Sequence, residues 1–166
     1  VIATARHFPG SGAASRNTDL GPATDPRPQS VFDGRDLLPF RDVMAIPVAA
    51  VMVSRVTYTA IDPQNPAVTS QIIMNGLLRK GLAYKGLVIT DDLLQPGARP
   101  IGDTAVRAIA AGADVALVTG GPAQRQEVTT SLRHAVETGQ ITPERLHEAA
   151  EHVLQVKLDY HIASVQ

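Results

Sequence analysis

Two adjacent carboxylates, Asp91 and Asp92, stand at the end of the apolar run Gly86-Leu87-Val88-Ile89-Thr90. Carboxylates can act as nucleophiles or as general acids and bases, and the carboxyl end of a buried strand is where α/β proteins place such chemistry. A short run of aliphatic and β-branched residues bounded by Gly is the pattern of a strand covered on both faces. Side chains alternate along a strand, so if the extended conformation persists, Asp91 and Asp92 face opposite ways and only one of them addresses a given substrate. The competing reading is structural, with one aspartate capping a following helix.

Composition narrows the function classes. The chain has 166 residues, 44% of them hydrophobic, enough for one core of ordinary domain size. Its formal net charge is −1, with 15 Lys and Arg scattered among 16 Asp and Glu, and no basic stripe that would suit nucleic acid or an anionic membrane. There is no cysteine, which excludes disulfides and thiolate metal sites, and the five histidines are too dispersed for a metal site. No apolar stretch is long enough to span a membrane, and the first seven residues lack the charged-then-apolar order of a secretory signal. Both cytoplasmic and exported locations stay open. The chain begins with Val rather than Met, which is consistent with an alternative start, a processed chain or a fragment, and the organisation along the chain favours a fragment.

Four strand candidates recur along the chain, at 1–5, 48–54, 87–90 and 115–119, with helical patterns between and after them. Over 70–80, Ile73 and Leu77, and Met74 and Leu78, repeat at four-residue spacing behind Ser70, a capping residue. A helix over 103–111 carries Val106, Ile109 and Ala110 on one face and stops at Gly112. One over 124–138 carries Val128, Leu132, Ala135 and Val136 and ends at Gly139. Thr142-Pro143 opens a last helix with a buried stripe of Leu146, Ala150, Val153 and Leu154. This alternation predicts right-handed βαβ units, a parallel sheet and the α/β class. The segment 10–36, rich in Gly, Ser, Thr, Asp and Pro, breaks the pattern and reads as an active-site loop or a disordered one. Gly120-Gly121 after the last strand candidate suggests a small-molecule-binding domain only weakly, because ordinary turns use the same residues.

That loop opens with Arg6-His7-Phe8-Pro9-Gly10-Ser11-Gly12, which resembles the Lys-His-Phe-Pro-Gly-His-Gly signature of glycoside hydrolase family 3, in its β-N-acetylhexosaminidase branch. Further segments resemble the family in the right order: Ala50-Val51-Met52-Val53-Ser54, Pro66-Ala67-Val68-Thr69-Ser70, Gly86 to Leu93, and Ala110-Ala111-Gly112-Ala113-Asp114-Val115. The resemblance implies that residues 1–166 are a partial catalytic domain with the second half, strands 5 to 8, of a TIM (β/α)8 barrel. It also implies two exposed sheet edges through which the chain would self-associate. The activity implied is retaining hydrolysis of a terminal β-linked N-acetylglucosamine, the partner being a carbohydrate such as a peptidoglycan fragment, and because that mechanism runs on carboxylates and hydrogen bonds it implies no metal or organic cofactor.

By the same resemblance Asp91 is the nucleophile, and Arg6 and His7 fall where the family's Lys-His pair contacts sugar hydroxyls. A purely structural hydrogen bond anchoring the loop is the alternative for His7. The family's acid/base is the His of an Asp-Ser-His triplet, oriented by that Asp. The matching positions here are Asn17, Thr18 and Asp19, so the dyad is degenerate at Asn17 and Asp19 is the carboxyl that could serve as the acid. Ser11 replaces a His of the signature, and Arg55 follows Ser54 where the family commonly has His. These departures all fall around the site while the packing motifs persist. The resemblance therefore implies either an impaired glycosidase or a catalytically inactive remnant that keeps sugar binding or nothing.

Overall fold

A computed structural model describes residues 2–46, 48–94 and 99–162. Three strands, β1 (Thr4–Phe8), β3 (Ala50–Val53) and β5 (Leu87–Thr90), form a parallel sheet in the order β1-β3-β5. The register pairs Thr4 with Ala50 and Ala50 with Leu87, and it slips between Arg6 and Phe8. Two short strands, β2 (Thr24–Asp25) and β4 (Thr57–Tyr58), make a separate parallel pair. The helices are α1 (Gln29–Val31), α2 (Leu38–Met44), α3 (Ile101–Ala111), α4 (Pro122–Glu137) and α5 (Pro143–Asp159). Wide π-type turns cover Phe32–Asp36 and Ile72–Gly81, the latter lying over the stretch predicted as a helix at 70–80.

The α/β class with parallel strands is present, but the expected set of barrel strands 5 to 8 is not. Among the described residues the main sheet has three strands, with a two-stranded sheet beside it. The predicted strand over 115–119 contributes one bridge, Ile89 to Val115. Side chains explain the break. The Leu117 N–H donates to Thr90 Oγ1 at 2.9 Å and the Thr119 N–H to Asp92 Oδ1 at 3.1 Å, so donors that a fourth strand would give to backbone carbonyls go to side-chain oxygens. Within 10–36, where a continuous loop is expected, the chain forms a 3-10 turn at Thr18–Leu20, then β2, α1 and a π-type turn.

The core lies between the sheet and the helices on its flank. Val51, Val53 and Val88 from the strands meet Ile73, Met74 and Leu78 from the π-type helix. Phe8 packs edge-on to Phe40 at 5.1 Å, and Phe32 edge-on to Tyr58 at 5.2 Å, which ties the 29–44 segment to the strands. In α4 the buried residues are Val128 and Ala135, with Leu132 and Val136 partly buried, along the predicted stripe. In α3 Ala105, Ala108 and Ile109 are buried and Ala110 is exposed. Gly112 ends that helix with φ +121°, a conformation that disfavours a side chain, and a Cβ there would also meet Asn75 Oδ1 at 2.6 Å.

The last helix faces the sheet differently from the sequence expectation. Leu146 is 46% exposed and Leu154 57%, while Ala149 and Val156 are buried. Arg145 and His152 both reach Asp114, at 2.7 and 3.0 Å, and positions 145, 149, 152 and 156 share one helical face. Polar anchoring thus sets the rotation of α5, and the leucine stripe turns outward.

Candidate active site

In a parallel sheet neighbouring strands end on the same side, so β1, β3 and β5 bring His7, Ser54-Arg55 and Asp91-Asp92 to one edge. The ladder continues just past the strands: Ser54 N–H donates to the Phe8 carbonyl and Asp91 N–H to the Val53 carbonyl, both at 2.9 Å. Each side chain at this edge therefore leaves a fixed backbone.

Asp91 is 14% exposed in its side chain. Its Oδ1 accepts the Asp92 N–H at 2.9 Å and lies 3.9 Å from His7 Nε2, and its Oδ2 lies 3.2 Å from Arg55 Nε. That last contact is an ion pair without hydrogen-bond alignment, since the buried Nε finds no acceptor at good geometry. Asp92 turns the other way and accepts bonds from the Leu94 N–H and from both the N–H and hydroxyl of Thr119. Burial pushes its carboxyl up, but the Thr119 bonds outweigh that and hold it below the ordinary carboxylate value. Neither aspartate caps a helix, because α3 begins only after Pro100.

Arg55 is the residue that the sequence treated only as a departure. Its side chain is 5% exposed, and two of its three guanidinium nitrogens are hydrogen-bonded. Nη1 donates to the Asp92 carbonyl at 2.7 Å, Nη2 bonds Asp19 Oδ1 at 2.5 Å and reaches Thr18 Oγ1 at 3.4 Å, and Nε faces Asp91. The one signal for it was a charge directly after a buried strand, at the same sheet edge as Asp91.

The loop covers this edge from the front. Asn17 Oδ1 accepts the Asp19 N–H at 2.9 Å and so caps the turn Thr18–Leu20, which presents Asp19 to Arg55. The strand ends and the loop enclose a polar cleft of about 410 Å³ that includes Arg6, His7, Arg16, Asn17, Asp19 and Asp91 in its walls. All five residues singled out from the sequence, Arg6, His7, Asn17, Asp19 and Asp91, meet in it. The side chains of Arg6 and Arg16 make no hydrogen bond or ion pair among the described residues, so the cleft offers free donors beside a partly free carboxylate. Among those residues no group of three or more His, Asp or Glu could hold a metal ion.

A carboxylate at the end of a parallel strand, facing a polar cleft lined by arginines, a histidine and an amide, is the arrangement of a small-molecule site on an α/β scaffold. The glycosyl hydrolase family 3 N terminal domain matches residues 1–156, and the chain belongs to that family. A β-hexosaminidase of Nitrosomonas eutropha is 32% identical over 162 residues, covering 94% of this chain and 46% of that protein. One from Alkalilimnicola ehrlichii is 35% identical over 149 residues, covering 88% of this chain and 42% of its own length. The chain thus spans less than half the length of these relatives. Among solved structures, a family 3 β-N-acetylglucosaminidase from a Paenibacillus species superimposes with a TM-score of 0.94 at 34% identity, covering all of this chain and 33% of that one.

Proposed function

We propose that the cleft is a β-N-acetylhexosaminidase site working by retention, with Asp91 as the nucleophile. The observation that carries this reading is the position of Asp91, which leaves the end of β5 with free lone pairs toward a polar cleft. In the first step an Asp91 oxygen bonds the anomeric carbon of a terminal β-linked N-acetylglucosamine as the bond to the leaving oxygen breaks, and that oxygen departs with the bonding pair and takes a proton from solvent. In the second, water bonds the anomeric carbon as the bond to Asp91 breaks, which restores the carboxylate, and the water's proton passes to solvent. Arg6 and His7 hydrogen-bond sugar hydroxyls. A peptidoglycan fragment is one source of such a sugar.

The acid's position is the weak part of the site. No imidazole stands at the loop position of the dyad, and Asp19, the loop carboxyl in the cleft, is engaged by Arg55. Absence of a general acid slows such reactions by about two to four orders of magnitude, so aglycones that leave as weak bases turn over and alkyl aglycones hardly do. The test is hydrolysis of an aryl β-N-acetylglucosaminide with an activated leaving group, with Asp91→Ala as the control. Turnover that the substitution abolishes supports the reading. Folded protein without turnover overturns it in favour of an inactive remnant of the family.

A further inference from the structure

A buried arginine at the end of β3 and an exposed carboxylate on the loop meet in the structure: Arg55 and Asp19 are joined at 2.5 Å. We propose that Arg55 and Asp19 form a latch, in which Arg55 is a positioning residue that draws the turn Thr18–Leu20 over the strand ends and fixes the orientation of Asp91. The positioning part rests on the assignment of Asp91 as nucleophile; the latch does not.

Burial and partner count support this arrangement. The guanidinium is almost fully buried at the end of β3, whereas Asp19 is 73% exposed on a polar loop. An exposed carboxylate gains little from a surface partner, but a buried cation needs its donors satisfied. Asp91 answers only one nitrogen, and with poor alignment. The Asp92 carbonyl and Asp19 answer the other two. The loop is thus recruited by a requirement of the strand edge, and Asn17 holds Asp19 in the conformation that meets it. Fixed between these partners, the guanidinium presents Nε to Asp91 Oδ2 and leaves Oδ1 as the oxygen toward His7. The loop carboxylate is the counter-charge of a strand-end arginine.

The experiment is a double-mutant cycle with Asp19→Asn, Arg55→Ala and the pair, followed by amide hydrogen exchange over residues 16–25 and by kinetics on the activated aryl glycoside. Asp19→Asn alters an exposed side chain and keeps the fold, so it is read even where Arg55→Ala folds poorly. A latch makes each single variant exchange about tenfold faster at 18–21, with the double variant no faster than either. Positioning makes Arg55→Ala lower kcat about a hundredfold with little change in KM, with partial rescue by added guanidinium ion, which a collapsed structure would not allow. Additive or absent exchange effects overturn the latch, and a KM effect without rescue overturns the positioning role. If the wild-type chain shows no turnover, the glycosidase reading and the positioning role fall together, and the exchange data still decide the latch.

Discussion

Asp91 and Asp114 are two carboxylates fastened to the same strand, β5, and they differ in how completely they are satisfied. Asp114 has a fully buried side chain that accepts from Arg79 at 2.6 Å, from Arg145 at 2.7 Å and from the Val88 N–H at 2.9 Å, and it lies 3.0 Å from His152 Nδ1, which also faces Arg79. Arg79 goes on to the carbonyls of Tyr84 and Gly86, and Arg145 to those of Ile109 and Ala113. Two guanidiniums, a backbone amide and an imidazole surround a carboxyl that accepts about four hydrogen bonds, so Asp114 has little left to offer a ligand. Asp91 has one backbone bond and one misaligned ion pair, and it opens on a cleft. Saturation makes a bolt, and incomplete saturation beside a cavity leaves a reactive group.

The largest expected effect tests the open side of that comparison. Asp91→Ala should lower turnover of the activated aryl glycoside by about three orders of magnitude or more, while urea denaturation followed by circular dichroism shows a much smaller change in stability. The closed side should behave in the opposite way. Asp114→Ala leaves two partly buried guanidiniums without their shared, fully buried anion, a change of the kind that destabilises by up to about 3–5 kcal/mol, and the denaturation midpoint should fall accordingly. Comparable stability losses from both substitutions would break the distinction.

The pH dependence of stability sharpens it further. Asp25, Asp62 and Asp92 all lie below the ordinary value of 3.8. In each, burial pushes the carboxyl up, and hydrogen bonds from Arg27, from Ser70 and Asn65, and from Thr119, respectively, outweigh it. A group with a depressed folded value takes up its proton later than it does in the unfolded chain. Its stabilisation is therefore complete above the unfolded value and is lost as the pH falls through the folded one. Urea midpoints should be level near neutrality and drop below about pH 4, and Asp62→Asn should make that acid loss shallower. A smaller effect is expected at Thr142, whose hydroxyl accepts the Arg145 N–H at 3.2 Å at the start of α5. Thr142→Ala should lower stability by about 1 kcal/mol, measured in the same assay.

Much of the scaffold was legible in the chain. The run before Asp91 reads as a strand because aliphatic and β-branched residues between Gly86 and the carboxylates allow little else, and β5 covers Leu87–Thr90. Thr142-Pro143 and Gly112 mark helix ends for local reasons of capping and backbone conformation. The strand expected over 115–119 fails because the competing acceptors, Thr90 and Asp92, belong to another segment. The rotation of α5 was hidden for the same reason: Leu146 and Leu154 fit an apolar stripe until Arg145 and His152 are claimed by Asp114.

The site divides along the same line. Motif order identified the residues that gather at the cleft, because residue type and spacing survive in the linear chain. Arg55 could be recognised there only as an unexpected side chain. Its partners Asp19, Asp91 and the Asp92 carbonyl lie about 36 residues away on either side, and no local periodicity records such contacts. The sequence by itself determined the family, the parallel α/β elements and the chemical groups present. Tertiary structure decided which carboxylate is saturated and which is left open, because that depends on donors brought from distant segments to one point in space.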